Sequence, residues 1–211
     1  MIDLANRQVW IFREPRTGSS AFTESIRKLL GRGSIFVESP DQIIYDSSVV
    51  VSMHIFDFLK FLKREDKPIV LRCSRKNRLQ QFLSLRAMLA TNFSNIRINN
   101  PESGLCYNTD EVLNFESFIK KNKITISYED FSKFRSDSIR TNLSWNYIAS
   151  NFDHQVFYYE NLNKIIDIPI LNMYNINIEA EKYTKKLPDY KEELFTNISE
   201  VKKWMIELPS F

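Results

Sequence analysis

The chain has 211 residues, 43% of them hydrophobic and 26% charged, with a formal net charge of +3. That length supports one domain spanning 1–211 with a single substantial core, and the balance of residues is that of a folded soluble protein, not a disordered one. A charge of +3 is too small to argue for nucleic acid as a partner, two cysteines are too few for a disulfide framework or a zinc site, and no apolar run approaches the length of a membrane span.

The opening residues, MIDLANRQ, carry neither the basic nor the apolar region of a signal peptide, so a cytoplasmic, reducing setting is the expectation. Residues 9–12, VWIF, form a short apolar run bounded by polar residues and read as a buried parallel strand. The loop Arg13-Glu14-Pro15-Arg16-Thr17-Gly18-Ser19-Ser20 follows, and then an amphipathic helix with Phe22, Ile26, Leu29 and Leu30 on one face. A strand, a loop with glycine and hydroxyls, and a helix N-terminus together make an anion site. The free N–H groups and the positive end of the helix dipole face the ligand, Gly18 lets the backbone come close, and Arg16 offers a fork of donors to phosphate or sulfate oxygens. A plain strand-to-helix turn capped by Ser19 or Ser20 accounts for the same residues without a ligand.

Gly31-Arg32-Gly33 closes that helix. Ile35-Phe36-Val37-Glu38 leads into a turn at Ser39-Pro40-Asp41. Val49-Val50-Val51-Ser52-Met53 is a second buried strand with His54 at its end, and residues 55–64 read as a helix through Ile55, Phe58, Leu59 and Leu62. Lys67-Pro68 breaks the chain before a third strand, IVLRC at 69–73, in which Cys73 is a small apolar filler. A long helix to about Thr91 follows, with Leu79, Phe82, Leu83, Ala87 and Ala90 on one face. Three strand-then-helix units in a row predict a parallel sheet of about four to five strands with right-handed crossovers and helices on both faces, a three-layer α/β fold. Ligands collect at the carboxyl ends of the strands in such sheets, and Arg16, His54 and Arg75 each fall at or just past such an end.

Residues 94–110 are polar and read as a surface loop, and 111–121 as a helix. Ser127-Tyr128-Glu129-Asp130 has capping-box form and opens a helix to Ser150, with a break expected near Ser136. Residues 155–159 are a further strand, followed by Glu160-Asn161-Leu162 and a short helix. The tail carries lysines from Lys182 to Lys186 and a helix over 194–208.

A second cationic cluster, Arg75-Lys76-Asn77-Arg78, sits where a strand ends and a helix begins; it suits an anion, and equally a solvated basic turn. With the loop PRTGSS, it carries a resemblance to a known family. PRTGSS before a helix resembles the 5'-phosphosulfate loop of sulfotransferases that use 3'-phosphoadenylyl sulfate, closest to the nodulation-type and glycolipid-type branch. The loop departs from the Walker pattern G-x-x-x-x-G-K-[ST], lacking its first Gly and its Lys. Residues 75–84 resemble the 3'-phosphate motif of the same branch, R-[RK]-N-x-x-x-Q-x-x-S. The 156–162 stretch, VFYYENL, resembles the strand-plus-YEDL segment of the family, with Asn161 in place of Asp. Thr184-Lys185-Lys186 and the helix after Leu194 resemble its C-terminal basic loop and helix.

The resemblance implies a nucleotide-triphosphatase-like sulfotransferase fold. It implies transfer of a sulfuryl group from 3'-phosphoadenylyl sulfate to a hydroxyl, on a carbohydrate or glycolipid, leaving 3',5'-adenosine bisphosphate and needing no metal. Arg16, Thr17, Gly18, Ser19 and Ser20 would hold the phosphosulfate. Arg75 and Ser84 would hold the 3'-phosphate, with Lys185 and Lys186 closing over it; apart from the resemblance those lysines are a solvated charge pair. Two residues match the family's bases, His54 and Glu38, and either could take the acceptor's proton. Nucleotide triphosphatases place an Asp for magnesium where this chain carries cations from Arg72 to Arg75, and sulfuryl transfer is served by cations and N–H groups alone. Two alternatives stand beside this one: a nucleotide or small-molecule kinase, distinguished by a magnesium requirement, and a non-catalytic nucleotide-binding relative.

Overall fold

The computed structural model describes residues 7–17, 19–37, 47–54, 67–91, 96–97, 117, 121–161, 165–177, 184–185 and 189–208. Strands β1 (Val9–Arg13), β3 (Val49–His54) and β4 (Ile69–Ser74) are runs of β-branched, aromatic and aliphatic residues, and their described side chains are buried except at the carboxyl ends of β1 and β3. With β2 (Gly33–Val37) and β6 (His154–Tyr158) they form a five-stranded sheet in the order β2-β3-β1-β4-β6, and every pairing in it is parallel. The protein is therefore α/β.

The edge strand β2 is a departure from the sequence reading, in which 35–38 only led into a turn. Its first two residues, Gly33 and Ser34, are poor strand formers, and pairing with β3 on one side alone supplies what local propensity lacks.

The chain divides into two units, Met1–Lys76 with Arg140–Ala180 and Asn77–Ile139 with Glu181–Phe211. The first holds the sheet. Helix α1 (Ser19–Leu30) covers one face, where Phe22 stacks on Phe157 and the Thr23 hydroxyl meets that of Ser52 at 3.1 Å. Phe22 and Ile26 are buried as expected, but Leu29 is 43% exposed: the buried stripe runs through Ala21, Thr23 and Ser25 instead. The helix ends in a Schellman motif, with Gly31 at φ +63, its N–H on the Lys28 carbonyl and the Arg32 N–H on that of Arg27. On the opposite face Trp10, Phe12, Val51, Met53 and Val70 pack with Trp145 and Ile148 from the second half of a long helix, numbered α3 below. At the amino ends of the strands Arg7 donates to Asp153 at 2.6 Å and to the Lys67 carbonyl at 2.6 and 3.0 Å, joining the entrances to β1, β4 and β6.

After β6 the expected short helix gives way to a one-turn 3-10 segment at Tyr159–Asn161 and an antiparallel pair, β7 (Ile165–Ile168) and β8 (Met173–Asn177). Pro169 and Asn172, the latter at φ +54, turn the chain between them, and the β-branched run around them favours extended backbone.

The second unit is helical. Helix α2 (Arg78–Thr91) and the first half of α3 (Tyr128–Asn151) contribute Phe82, Leu83, Ala87, Phe131 and Phe134 to its core, with Leu194, Phe195 and Val201 from the tail. Ala90, expected on the inner face of α2, is exposed. Helix α3 starts as the capping box requires: Ser127 Oγ accepts the Asp130 N–H at 3.1 Å and donates to Asp130 Oδ2 at 2.9 Å. It runs through Ser136 without a break, because Ser136 faces solvent and the nearby Ser138 returns its hydroxyl to the Phe134 carbonyl. The tail helix is broken instead. A 3-10 segment (Asp189–Leu194) is followed by a bridge from Phe195 to Ile124, α4 (Ile198–Trp204) and a last 3-10 turn. Asn197 causes the interruption by spending its amide on the Ile126 N–H and carbonyl, at 3.0 and 2.8 Å. Two short strands, β5 (Ile96–Arg97) and β9 (Thr184–Lys185), pair antiparallel.

The helix expected at 55–64 lies outside the described residues, as do most of 94–110 and of 111–121. Among the described residues no helix is long and apolar enough to cross a membrane.

Candidate functional site

In the order β2-β3-β1-β4-β6 the chain leaves β1 toward β2 on one side, while β6 lies beyond β4 on the other. The carboxyl ends of β1 and β4 therefore flank the point where the winding reverses, which is where open parallel sheets form a binding crevice.

The loop after β1 is tied to β4 along its length. Glu14, 3% exposed, accepts from Arg72 Nε at 2.7 Å. The Thr17 hydroxyl donates to the Glu14 carbonyl at 2.9 Å, and the Thr17 carbonyl accepts from the Cys73 thiol at 3.0 Å. The Arg16 carbonyl accepts from Arg75 Nη1 at 3.4 Å. Between these ties Arg16 sits at φ +62, a left-handed conformation that costs a residue with a Cβ and persists only where the surroundings hold it.

Arg75 is itself held. Its guanidinium carbon lies 4.5 Å from the centre of the Tyr159 ring, its Nε 3.9 Å from Glu160 Oε1, and Glu160 Oε2 accepts the Lys76 N–H at 3.1 Å. The ammonium of Lys76 lies 4.8 Å above the Tyr158 ring. Burial, and then the charge of Arg75, hold the Arg16 guanidinium below its ordinary value, with Tyr159 opposing the shift. Two guanidiniums brought this close raise a local positive potential that an anion relieves.

Of the other residues named from the sequence, Thr17 and Ser19 are buried and Ser20 is exposed in the first turn of α1. His54 ends β3 in register with Arg13, its side chain exposed at the same edge of the sheet. Gly18, Glu38 and Lys186 lie outside the described residues. Ser84, buried on α2, and Lys185, opposite Ile96 in β9, belong to the second unit. Asn77, from the same motif as Ser84, caps α2 by accepting the Gln80 N–H at 3.0 Å.

Arg72 needs correcting. Read from the sequence as one of the cations offered to a ligand, it is turned inward, 7% exposed, with Nη2 on Asn142 at 2.7 Å and its guanidinium 5.3 Å from the Trp145 ring centre. Its partner Glu14 was missed altogether. The signal for Arg72 was present, since an arginine inside the apolar strand IVLRCS is buried by its neighbours and a buried charge demands a partner; that the partner is Glu14, 58 positions away, was not written there.

Compared with known proteins, the chain matches no family model, no curated protein and no solved structure.

Proposed function

We propose that this protein is a sulfotransferase of nucleotide-triphosphatase-like fold, moving a sulfuryl group from 3'-phosphoadenylyl sulfate to a hydroxyl of a carbohydrate or glycolipid. It is supported by one arrangement above all. Arg16 and Arg75, which fall in the two anion motifs of the sequence, meet at the carboxyl ends of adjacent parallel strands where the winding reverses.

In this reading Arg16, the N–H groups of the loop and the first turn of α1 hold the phosphosulfate, and their donors match the charge that grows on the phosphate oxygen as its bond to sulfur breaks. Arg75 holds the 3'-phosphate. The acceptor oxygen attacks the sulfur, 3',5'-adenosine bisphosphate departs, and His54 or Glu38 takes the acceptor's proton. His54 stands at the same edge of the sheet as the Arg16 loop, as a base must.

A thermal-shift series with 3',5'-adenosine bisphosphate, AMP and ATP, each with EDTA and with magnesium, tests this. A ligand at a hundred times its Kd stabilises by about 2.7 kcal/mol, roughly 5–10 °C for a chain of this size. The expected result is a shift of that order from 3',5'-adenosine bisphosphate in EDTA and a smaller one from AMP. Equal shifts from both nucleotides would remove Arg75 from 3'-phosphate recognition, and a response confined to ATP with magnesium would make the protein a kinase.

A further inference from the structure

We infer that the buried Glu14–Arg72 pair is a positioning device that holds Arg16 ready for an anion, an inference that rests on the anion site just proposed. Stability alone does not account for the pair. Taking a carboxylate and a guanidinium out of water costs several kcal/mol each, and a well-packed apolar pair of similar volume commonly serves a core as well or better. The pair occupies positions where the strand and the loop could have packed aliphatic side chains, with 8% and 3% of the two side chains exposed.

Its geometry points to the loop. Arg72 is fixed from behind, by Asn142 at 2.7 Å and by the face of Trp145, both on α3. Its Nε holds Glu14 in front at 2.7 Å. One residue along, Cys73 holds the Thr17 carbonyl, and the Thr17 hydroxyl returns to the Glu14 carbonyl. Residues 14 and 17 are thus both anchored to consecutive residues of one central strand, and Arg16 spans the gap in its left-handed conformation. Without the Glu14 anchor, Arg16 relaxes toward the right-handed conformations that a side chain with a Cβ prefers, and binding must then order the loop again. Glu14 and Arg72 act through Arg16, not on a ligand.

The test is isothermal titration with 3',5'-adenosine bisphosphate in EDTA, well below the melting temperature of each protein. The proteins are wild type, Glu14→Gln and the double variant Glu14→Leu/Arg72→Met, with Tm and circular dichroism recorded for each. The double variant leaves no lone buried charge, so it keeps the comparison available if Glu14→Gln does not fold. The expected result is a Kd about ten- to a hundredfold weaker in the double variant, although its Tm stays near that of wild type. Wild-type affinity in the double variant overturns the positioning role while leaving the anion site in place. Absence of binding by wild type overturns the anion site and the positioning role together.

Discussion

Cys73 is fully buried on β4, its thiol donating to the Thr17 carbonyl at 3.0 Å. Burial pushes its ionisation far above the ordinary thiol value of 9.0, and the Glu14 and Glu160 charges add to the push against the opposing hydrogen bond. The folded thiol keeps its proton where the unfolded one releases it, so the stability it lends is whole below about pH 8 and is lost as pH rises. Each pH unit above the ordinary value costs up to ~1.4 kcal/mol. In urea denaturation between about pH 8 and pH 10, wild type should lose stability more steeply than Cys73→Ala; parallel slopes would show that the thiol does not ionise on unfolding. Its neighbour Arg72 is buried in the same strand, with Glu14 and Asn142 taking its donors.

At the scale of elements, the caps were legible and the interruptions were not. The Ser127–Asp130 box and the Gly31 stop are written in three or four consecutive residues, and each forms as read. Ser127→Ala should lower stability by about 1 kcal/mol, since the Asp130 N–H loses its acceptor. A thermal melt followed at the helical circular dichroism band would register it, and an unchanged midpoint would mean that water replaces the cap at no cost. The tail looked like one helix because its apolar spacing runs on through 194–208. Asn197 breaks it by clamping Ile126, a residue 71 positions away, and no local pattern announces that bond. The hairpin of β7 and β8 was hidden for a similar reason, since a short β-branched run is a strand only once it has a partner.

At the scale of the whole chain, two clusters of buried side chains form, one beneath the sheet and one among the helices of the second unit. Phe82 lies fully buried in the second cluster, edge to face with Phe131 and tilted against Phe134. Phe82→Ala leaves a cavity and should cost ~3–5 kcal/mol, a large part of the stability of an ordinary domain. Chemical denaturation of the variant should show a lower midpoint with little change in slope. A loss below about 1 kcal/mol would mean that the neighbouring rings close the gap.

The amino-acid sequence by itself determined the central strands, the helices that follow the first and third of them, the class of the fold and the loops in which cations gather. Those properties rest on consecutive residues: an apolar run between polar ones, a glycine after a helix, a serine three residues before a carboxylate. Only the tertiary structure decided which strand lies beside which, that Gly33–Val37 forms an edge, and that Arg72 turns in to Glu14 while Arg75 reaches the Arg16 loop. These depend on residues far apart in the chain, 58 positions in the case of Glu14 and Arg72, and so on which partner burial brings within reach.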